Sequence, residues 1–129
     1  MRRSGGWRDV IMSIRSFSIV SEIYTELKRV FKAKQIHIAY TYDHDPPFAY
    51  DPITKTIFVS LKFVDYLLEN LSEEMVKCFV KSLLAHEIQH HIDIETLRLK
   101  RKYKEYRELL EESAFKTEID ELLKCLNEI

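Results

Sequence analysis

The sequence predicts an α+β domain, and three observations lead to this prediction. Apolar residues recur at helical spacing before residue 34, a stretch of alternating β-branched and aromatic residues follows, and helical spacing returns after residue 60. One helix, a small antiparallel sheet of about three strands and further helices, in that order, are typical of the α+β class. The length of 129 residues, of which 46% are hydrophobic, fits one folded domain.

The first predicted element is an amphipathic helix over residues 18–33. Its apolar positions repeat every three or four residues, as a helix with one buried face requires; they are Ile19, Val20, Ile23, Tyr24, Leu27, Val30 and Phe31. Before this helix, residues 1–17 include both glycines of the chain and several charges, which predicts a flexible lead-in. The single domain is therefore expected over residues 18–129.

The sheet is predicted in the middle of the chain. Residues 35–42 alternate and are rich in β-branched and aromatic types, which indicates a strand. After a turn that contains two prolines, residues 48–50 and 55–60 are expected to form a hairpin around the turn 51–54. All three prolines of the chain lie in this region, where turns and strand ends tolerate them.

Two helices are predicted after the sheet. Residues 61–70 form a short one, and a longer helix begins after Ser72. Ser72 is the predicted N-cap because a serine side chain can accept from the first free backbone N–H groups, and the acidic Glu73 and Glu74 suit the first turn. The longer helix carries an apolar face and runs into the octet HEIQHHID at residues 86–93.

Composition argues against several classes of partner. Twenty basic and 21 acidic residues nearly cancel, so the net charge of −1 indicates neither a nucleic-acid nor a membrane partner. No apolar run approaches the ~20 residues that cross a bilayer. Charged residues also interrupt the apolar stretch that a signal peptide would need near the N-terminus. These observations favour a cytoplasmic protein.

The cysteine count bears on the redox state of the thiols, and the charged residues bear on the source of the protein. Two cysteines, Cys78 and Cys125, are too few for a disulfide framework, so both are expected to be reduced thiols. Charged residues make up 32% of the chain, and this enrichment leans towards a thermophilic organism.

The octet HEIQHHID holds three of the five histidines of the chain. Residues four apart in a helix lie about 6 Å apart along the axis and roughly 40° apart around it. His86 and His90 can therefore hold one metal ion. Glu87 lies at the edge of the same site, where its carboxylate can take a proton from a water that the metal activates. This arrangement is the zinc-peptidase interpretation of H-E-x-x-H on a helix.

A catalytic zinc ion also needs a third protein ligand. Asp93 lies on the same helix face as His86 but roughly 10 Å further along the axis, which is too far for its short side chain. His91 points about 100° away from His90, and it is expected at the surface or beside the ligands. The third ligand must therefore come from another part of the chain.

A following helix, predicted over residues 109–123, offers two candidates for the third ligand. Its apolar residues recur at helical spacing, and the small Ser113 and Ala114 allow close packing against the octet helix. Glu111 or Glu112 could then reach the metal. In one straight helix the ligands would lie roughly 30 Å apart, so the chain is expected to turn between residues 93 and 104.

Two alternative functions remain open from the residues alone. Residues 98–107 contain six basic residues and two tyrosines, a combination that can bind single-stranded nucleic acid. The other alternative keeps the zinc in a non-catalytic helical interaction or regulatory module. Glu87 argues against that module, because a purely structural zinc site needs no base beside its ligand.

With HEIQH and a glutamate on a following helix, the chain resembles the gluzincin metallopeptidases. Among them it is most similar to the minigluzincins, which are soluble minimal zymogens. Glu111 stands 21 residues after His90, similar to the spacing in thermolysin-like members, and it begins an E-x-x-A segment similar to that of related membrane peptidases. The resemblance implies a zinc-dependent endopeptidase with Zn²⁺ held by His86, His90 and Glu111. Glu112 stays the alternative ligand, and Glu87 would be the general base and acid.

The resemblance also implies features around the site. A peptide or protein substrate would add a strand to the sheet edge formed by residues 55–60. Residues 115–129 would keep the zymogen latent, either as a tail or as a helix exchanged between the two molecules of a homodimer. Cys125 could then block the zinc as a thiolate, although a cysteine on an amphipathic helix is more often a core residue.

The chain departs from the family pattern in two places. Members often place Asp or Asn four residues after the ligand glutamate, where it orients a zinc-bound histidine; here Phe115 or Lys116 stands near that position. The donor that stabilises the transition state is commonly Tyr or His, and the candidates in this chain are Tyr103, Tyr106 and His91.

Overall fold

The computed structural model describes residues 7–129, which form four helices and a three-stranded sheet. The elements are α1 (Trp7–Val30), β1 (His37–Thr41), β2 (Phe48–Asp51), β3 (Thr56–Ser60), α2 (Leu61–Asn70), α3 (Glu73–Thr96) and α4 (Arg107–Asn127). This architecture confirms the predicted α+β class. None of the four helices in this part of the chain combines the length and the apolar composition of a membrane-spanning segment.

The sheet is mixed, so the prediction of a purely antiparallel sheet is wrong. Strands β2 and β3 form the expected antiparallel hairpin, but β1 pairs with the other side of β3 and runs parallel to it. The chain between β1 and β2 crosses the end of β3, where the Ser60 hydroxyl donates to the Tyr42 carbonyl (3.1 Å) and the Ser60 N–H donates to the Pro47 carbonyl (2.8 Å). These bonds satisfy the backbone groups of the crossing segment.

The order β1-β3-β2 makes β2 an edge strand. Residues 55–60, which were expected to form the substrate-binding edge, instead include β3, and both sides of β3 are paired. A third chain can pair only with a strand that has a free side. The expected role of residues 55–60 is therefore wrong, and β2 is the strand available on the α3 side, where it contacts that helix.

Helix α1 begins at Trp7, and the helix predicted to start at residue 18 was therefore too short. Residues 7–17 belong to this helix rather than to a flexible lead-in, and residues 1–6 lie outside the described chain. The reason is polar packing on α2: the hydroxyls of Ser13 (2.9 Å) and Ser16 (2.5 Å) donate to the buried carboxylate of Asp65. The spacing of apolar residues carries no information about a contact that serine side chains make.

The core lies between the sheet and helices α1, α2 and α3. Its fully buried residues are mainly aliphatic and come from each of these elements: Val20, Leu27, Ile57, Val59, Val64, Val76, Val80, Leu84 and Ile88. Since α3 supplies four of them, its inner face is fixed by close packing. Ile88, the third residue of the octet, lies on this fixed face, so the other side chains of the octet project from a rigid helix.

Helix α3 begins and ends with local motifs. Ser72 is the N-cap, as predicted, and its hydroxyl accepts from the Met75 N–H (3.2 Å). At the other end, Arg98 adopts a left-handed conformation (φ 56°), and the Leu99 N–H donates to the Ile94 carbonyl (2.9 Å). This is the Schellman pattern, in which a left-handed residue closes the helix. The chain then reverses through residues 97–106, close to the predicted turn.

Helix α4 packs along α3 and is joined to it by a disulfide between Cys78 and Cys125, with 5.5 Å between the Cα atoms. The prediction of two reduced thiols is therefore wrong. The two residues are 47 positions apart in the chain, and only the antiparallel packing of the two helices brings them together. In the disulfide, Cys125 has no thiolate to offer a metal, so the expected zinc-blocking role has no support here.

Candidate metal centre

A cleft of about 360 Å³ opens between the edge strand β2, helix α3 and the start of α4. Its walls are Pro46, Phe48, Ala49, Tyr50, Pro52, His86, Glu87, His90, Ile94, Tyr103, Arg107, Leu110 and Glu111. Polar and titratable groups converge on its floor from two helices, while the strand supplies backbone groups on the opposite wall. Clefts that combine an apolar lining with a few convergent polar groups are the usual place for a reaction or a ligand.

Three residues offer possible ligand atoms that all lie within 4.8 Å of one another: His86, His90 and Glu111. We refer to these three residues as the ligand group. The Glu111 carboxylate approaches Nε2 of His90 (2.5 Å) and Nε2 of His86 (3.6 Å). The two histidines share one face of α3 because four residues make about one helical turn. The structure thus brings together the three residues that the sequence suggested, and two imidazoles with one carboxylate are a donor set that zinc accepts.

Glu112, the alternative ligand, does not face the cleft. It lies with Phe115 and Lys116 around a shallow hollow on the outer side of α4. Neighbouring residues in a helix point about 100° apart, so α4 can turn only one of Glu111 and Glu112 towards α3. The packing selects Glu111.

Glu118 fixes the orientation of His86, a role that the sequence alone did not indicate. Nδ1 of His86 donates to the Glu118 carboxylate (2.8 Å), which leaves the lone pair of Nε2 directed at the cleft. Glu118 lies seven residues after Glu111 on α4, and positions seven apart return to the same helix face. This seven-residue spacing is the feature of the sequence from which a role for Glu118 beside the ligand group could have been predicted. Phe115, four residues after Glu111, is 56% exposed.

Glu87 lies beside His86 and is buried, with 8% of its surface exposed. Its Oε2 atom is 3.9 Å from Nε2 of His86. Burial, followed by the negative charges of Glu111 and Glu118, raises the pKa of this carboxyl to about 8. A hydrogen bond from the Tyr50 backbone acts in the opposite direction. Without a cation nearby, Glu87 therefore holds its proton near neutral pH.

His90 is kept neutral by its surroundings. Burial is the main cause that lowers the pKa of its imidazole, and the neighbouring His86 adds to this effect, while Glu111 and Asp93 oppose it. Neutral imidazole is the form that binds a metal ion. Asp93 itself lies one turn beyond, where Oδ1 accepts from the Gln89 amide (2.8 Å). It is not part of the ligand group.

His91 is buried and belongs to the fold rather than to the cleft. Its Nε2 atom donates to the Lys34 carbonyl (2.7 Å), and its Nδ1 atom accepts from the Tyr50 hydroxyl (2.6 Å). Because both ring nitrogens are used, His91 cannot be the transition-state donor. From the sequence, His91 was expected at the surface or beside the ligands. Its role is to tie β2 to α3.

Of the two tyrosine candidates for the donor, Tyr103 lies in the cleft wall. Tyr106 lines a different hollow, formed by residues 104–109 at the start of α4, and it is 40% exposed. Tyr103 is therefore the remaining candidate among the three.

Residues 115–129, expected to form a latency segment, continue α4 away from the cleft. Among the described residues, none beyond Glu111 lies in the cleft wall. This segment instead supplies Glu118 to His86 and Cys125 to the disulfide. In this arrangement its contacts support the ligand group rather than cover it.

The chain was compared with known proteins in three ways. A scan against protein-family models, a search of curated proteins and a search of solved structures each returned no match.

Proposed function

We propose that this protein is a zinc-dependent endopeptidase of the gluzincin type. One observation carries the proposal: the ligand atoms of His86, His90 and Glu111 converge beside the buried Glu87, in a cleft whose opposite wall is an edge strand. A metal-binding group with an additional carboxylate and a free strand edge meets the needs of peptide hydrolysis. A purely structural metal site would require neither of the last two features.

The nitrogen and oxygen donors of the ligand group are of the kinds that zinc binds. Nε2 of both histidines and one carboxylate are available, and the remaining nitrogen of His86 is held by Glu118. Three protein ligands leave a coordination position open, as in catalytic rather than structural zinc sites. When bound, zinc would polarise the scissile carbonyl and increase the acidity of the attacking water.

The residues of the chain would perform the remaining steps. Strand β2 would pair with the extended substrate backbone and present the scissile bond to the cleft. Glu87 would take a proton from water as the oxygen attacks the carbonyl carbon, and it would pass that proton to the amide nitrogen as the C–N bond breaks. A cation in the cleft would favour ionised Glu87, which the metal-free surroundings oppose. Tyr103, which lies in the cleft wall, would donate to the developing oxyanion.

We also propose a cytoplasmic location. The Cys78–Cys125 disulfide is unusual for that compartment in most organisms. Intracellular proteins of hyperthermophiles are an exception and are often rich in disulfides.

Metal analysis on matched variants tests the proposal. We expect about one zinc per wild-type chain. His86→Ala should abolish binding and Glu111→Ala should weaken it, whereas Glu87→Gln should retain the metal but lose cleavage of an internally quenched peptide library. Glu112→Ala is the matched control, since it removes the neighbouring carboxylate on the outer side of α4.

Two outcomes would contradict the proposal. If wild-type protein takes up no zinc even when the metal is supplied, the ligand group is only a polar cluster. If zinc binds but Glu87→Gln and wild type are equally inert towards the library and towards denatured protein substrates, the non-catalytic zinc module is favoured.

A further inference from the structure

A second hollow adjoins the cleft of the candidate metal centre. It has a volume of about 470 Å³, and Ile94 lies in the walls of both. Apart from Ile94 and Glu95, its walls are cationic: Lys55, Arg98, Lys100, Arg101 and Lys102. We refer to it as the basic hollow. The carboxylate of Glu95 is paired with Lys55 (2.9 Å), so the other four cations dominate the charge of this surface.

The charge of the basic hollow is local. Six basic residues and one acidic residue lie within positions 98–107, although the whole chain has a net charge of −1. Lys100, Arg101 and Lys102 are exposed. Such a concentration of like charge beside a cleft raises the local concentration of anionic partners and orients them on approach.

Arg107 extends this charge into the cleft itself. It is the first residue of α4, one helical turn before Glu111. Among residues 10–129, whose side chains the structure describes, it is the one lysine or arginine in the cleft wall, and none of the ion pairs among these residues involves it. A guanidinium presents a planar fork of donors that matches a carboxylate.

We propose that the cleft and the basic hollow together bind an acidic polypeptide segment. A glutamate or aspartate side chain near the scissile bond would pair with Arg107, and further acidic side chains would lie over Lys100, Arg101 and Lys102. The inference rests on the proposed function in one respect, since the peptide is taken to run along β2. It adds the substrate class, which the metal-binding group alone does not specify.

The surroundings favour an acidic peptide over a nucleic acid as the anionic partner. Arg107 is the one lysine or arginine of the described side chains in the cleft wall, whereas a continuous phosphate backbone needs a succession of cations along its path. A peptide can instead place neutral backbone in the cleft and confine its charges to the side chains near Arg107 and the basic hollow. The free side of β2 also pairs with peptide backbone and not with nucleotides.

Binding to the zinc-supplied Glu87→Gln variant separates recognition from cleavage. The probes are three fluorescently labelled, C-amidated peptides that are identical except that every Glu in the first is Gln in the second and Lys in the third. By fluorescence anisotropy at low salt, we expect the Glu peptide to bind about tenfold tighter than the Gln peptide, as several exposed charge pairs would provide. The difference should shrink in high salt.

Charge-reversal variants identify the residues responsible. In the same background, Arg101→Glu with Lys102→Glu should remove most of the preference for the Glu peptide, and Arg107→Glu should shift preference towards the Lys peptide. The matched control is Arg29→Glu with Lys116→Glu, which makes the same change of net charge at exposed positions outside both hollows. It should leave the preference unchanged.

Several results would overturn the inference. Equal affinity for the Glu and Gln peptides would do so, as would an equal loss of preference in the control. If the C-amidated peptides bind equally but the Glu peptide with a free C-terminal carboxylate binds tighter, that terminus, and not the acidic side chains, is the ligand. A single-stranded RNA that binds tighter than the Glu peptide and depends on Arg101 and Lys102 would identify a nucleic-acid surface.

The design also separates this inference from the proposed function. If the wild type cleaves the Glu and Gln peptides with equal kcat/KM, the enzyme stands and the substrate class is wrong. If the Glu peptide binds as expected but no variant takes up zinc, acidic-peptide recognition stands and the peptidase is wrong.

Discussion

Glu118 shows how one carboxylate outside the ligand group can determine the geometry of that group. It accepts from Nδ1 of His86, so the imidazole presents Nε2 to the cleft. We expect Glu118→Ala to weaken zinc binding roughly 10- to 100-fold, the usual effect of losing such a partner. Glu118→Gln should recover part of the affinity, because its amide oxygen can still accept. Competition with a chromogenic chelator measures both.

Glu112→Ala is the control for this measurement, since Glu112 lies on the outer side of α4. A loss of affinity as large in Glu112→Ala as in Glu118→Ala would indicate a general effect of charge. In that case the hydrogen bond to His86 would have no specific role.

The raised pKa of Glu87 predicts a pH dependence of stability in the metal-free protein. The folded state holds this proton up to about pH 8, against an ordinary pKa of 4.5. It therefore binds more protons than the unfolded state in that interval, and stability falls as pH rises through it. The lowered pKa of His90 instead makes stability rise with pH. This rise is complete above pH 6.5, the ordinary pKa of histidine. The effect of Glu87 can therefore be isolated between pH 6.5 and 9.

In this window we expect the free energy of unfolding to fall by about 2 kcal/mol for wild type in the presence of a chelator. Glu87→Gln should remove most of this slope, whereas Glu112→Gln should retain it. Urea titrations at several pH values measure it. A wild-type stability that is flat or rises across the window would show that Glu87 is ionised in the folded, metal-free protein.

At the level of elements, two helices end with a left-handed residue that is not glycine. Lys32 closes α1 (φ 54°) as Arg98 closes α3, and the Ala33 N–H donates to the Lys28 carbonyl (3.0 Å). A side chain in this conformation has a steric cost that glycine avoids. We expect Lys32→Gly to stabilise the protein by about 1 kcal/mol.

Arg29→Gly, three residues earlier and inside the helix, should have the opposite sign and destabilise by up to about 1 kcal/mol. Urea midpoints at constant slope measure both variants. If Lys32→Gly destabilises the protein as much as Arg29→Gly, the conformation of Lys32 is not strained.

The elements differ in how far the sequence could predict them. Residues of α2, α3 and the β2–β3 hairpin follow local rules of periodicity, capping and turns, and these elements were predicted. The first turns of α1 depend on Ser13 and Ser16 meeting Asp65, and the parallel alignment of β1 depends on pairing across the sheet. Both are tertiary contacts that local patterns do not contain.

The same distinction applies to the candidate site. His86, Glu87 and His90 lie within one helical turn, so their proximity follows from helix geometry. The sequence narrowed the candidate third ligand to Glu111 or Glu112, and only the packing of α4 distinguished between these two neighbours. Glu118 and the buried His91 depend on how α4 and β2 face α3, which a single sequence does not determine.

For the whole molecule, the disulfide closes a loop of 47 residues that includes the octet and most of α3 and α4. Closing a loop of this length restricts the unfolded chain and stabilises the folded state by about 4 kcal/mol in the chain-entropy description. We expect the double variant Cys78→Ala with Cys125→Ala to lose stability of this order in urea unfolding. Wild type treated with reductant should lose a similar amount.

The single variants distinguish the cross-link from packing, since each breaks the disulfide but removes only one sulfur. If reduction leaves the urea midpoint of wild type unchanged while Cys78→Ala lowers it, the buried sulfur of Cys78 contributes by packing alone. The cross-link would then add nothing to stability.

Two of the contacts between α4 and α3 lie at opposite ends of their shared length. Glu111 meets His90 near the cleft, and Cys125 meets Cys78 at the far end. Both contacts depend on the same packing of one helix on the other, so we expect formation of the disulfide and binding of the proposed zinc ion to favour each other, each by the same free energy. In a cell, the redox potential would then influence the affinity of the protein for zinc. The zinc concentration would in turn influence the fraction of chains that keep the disulfide.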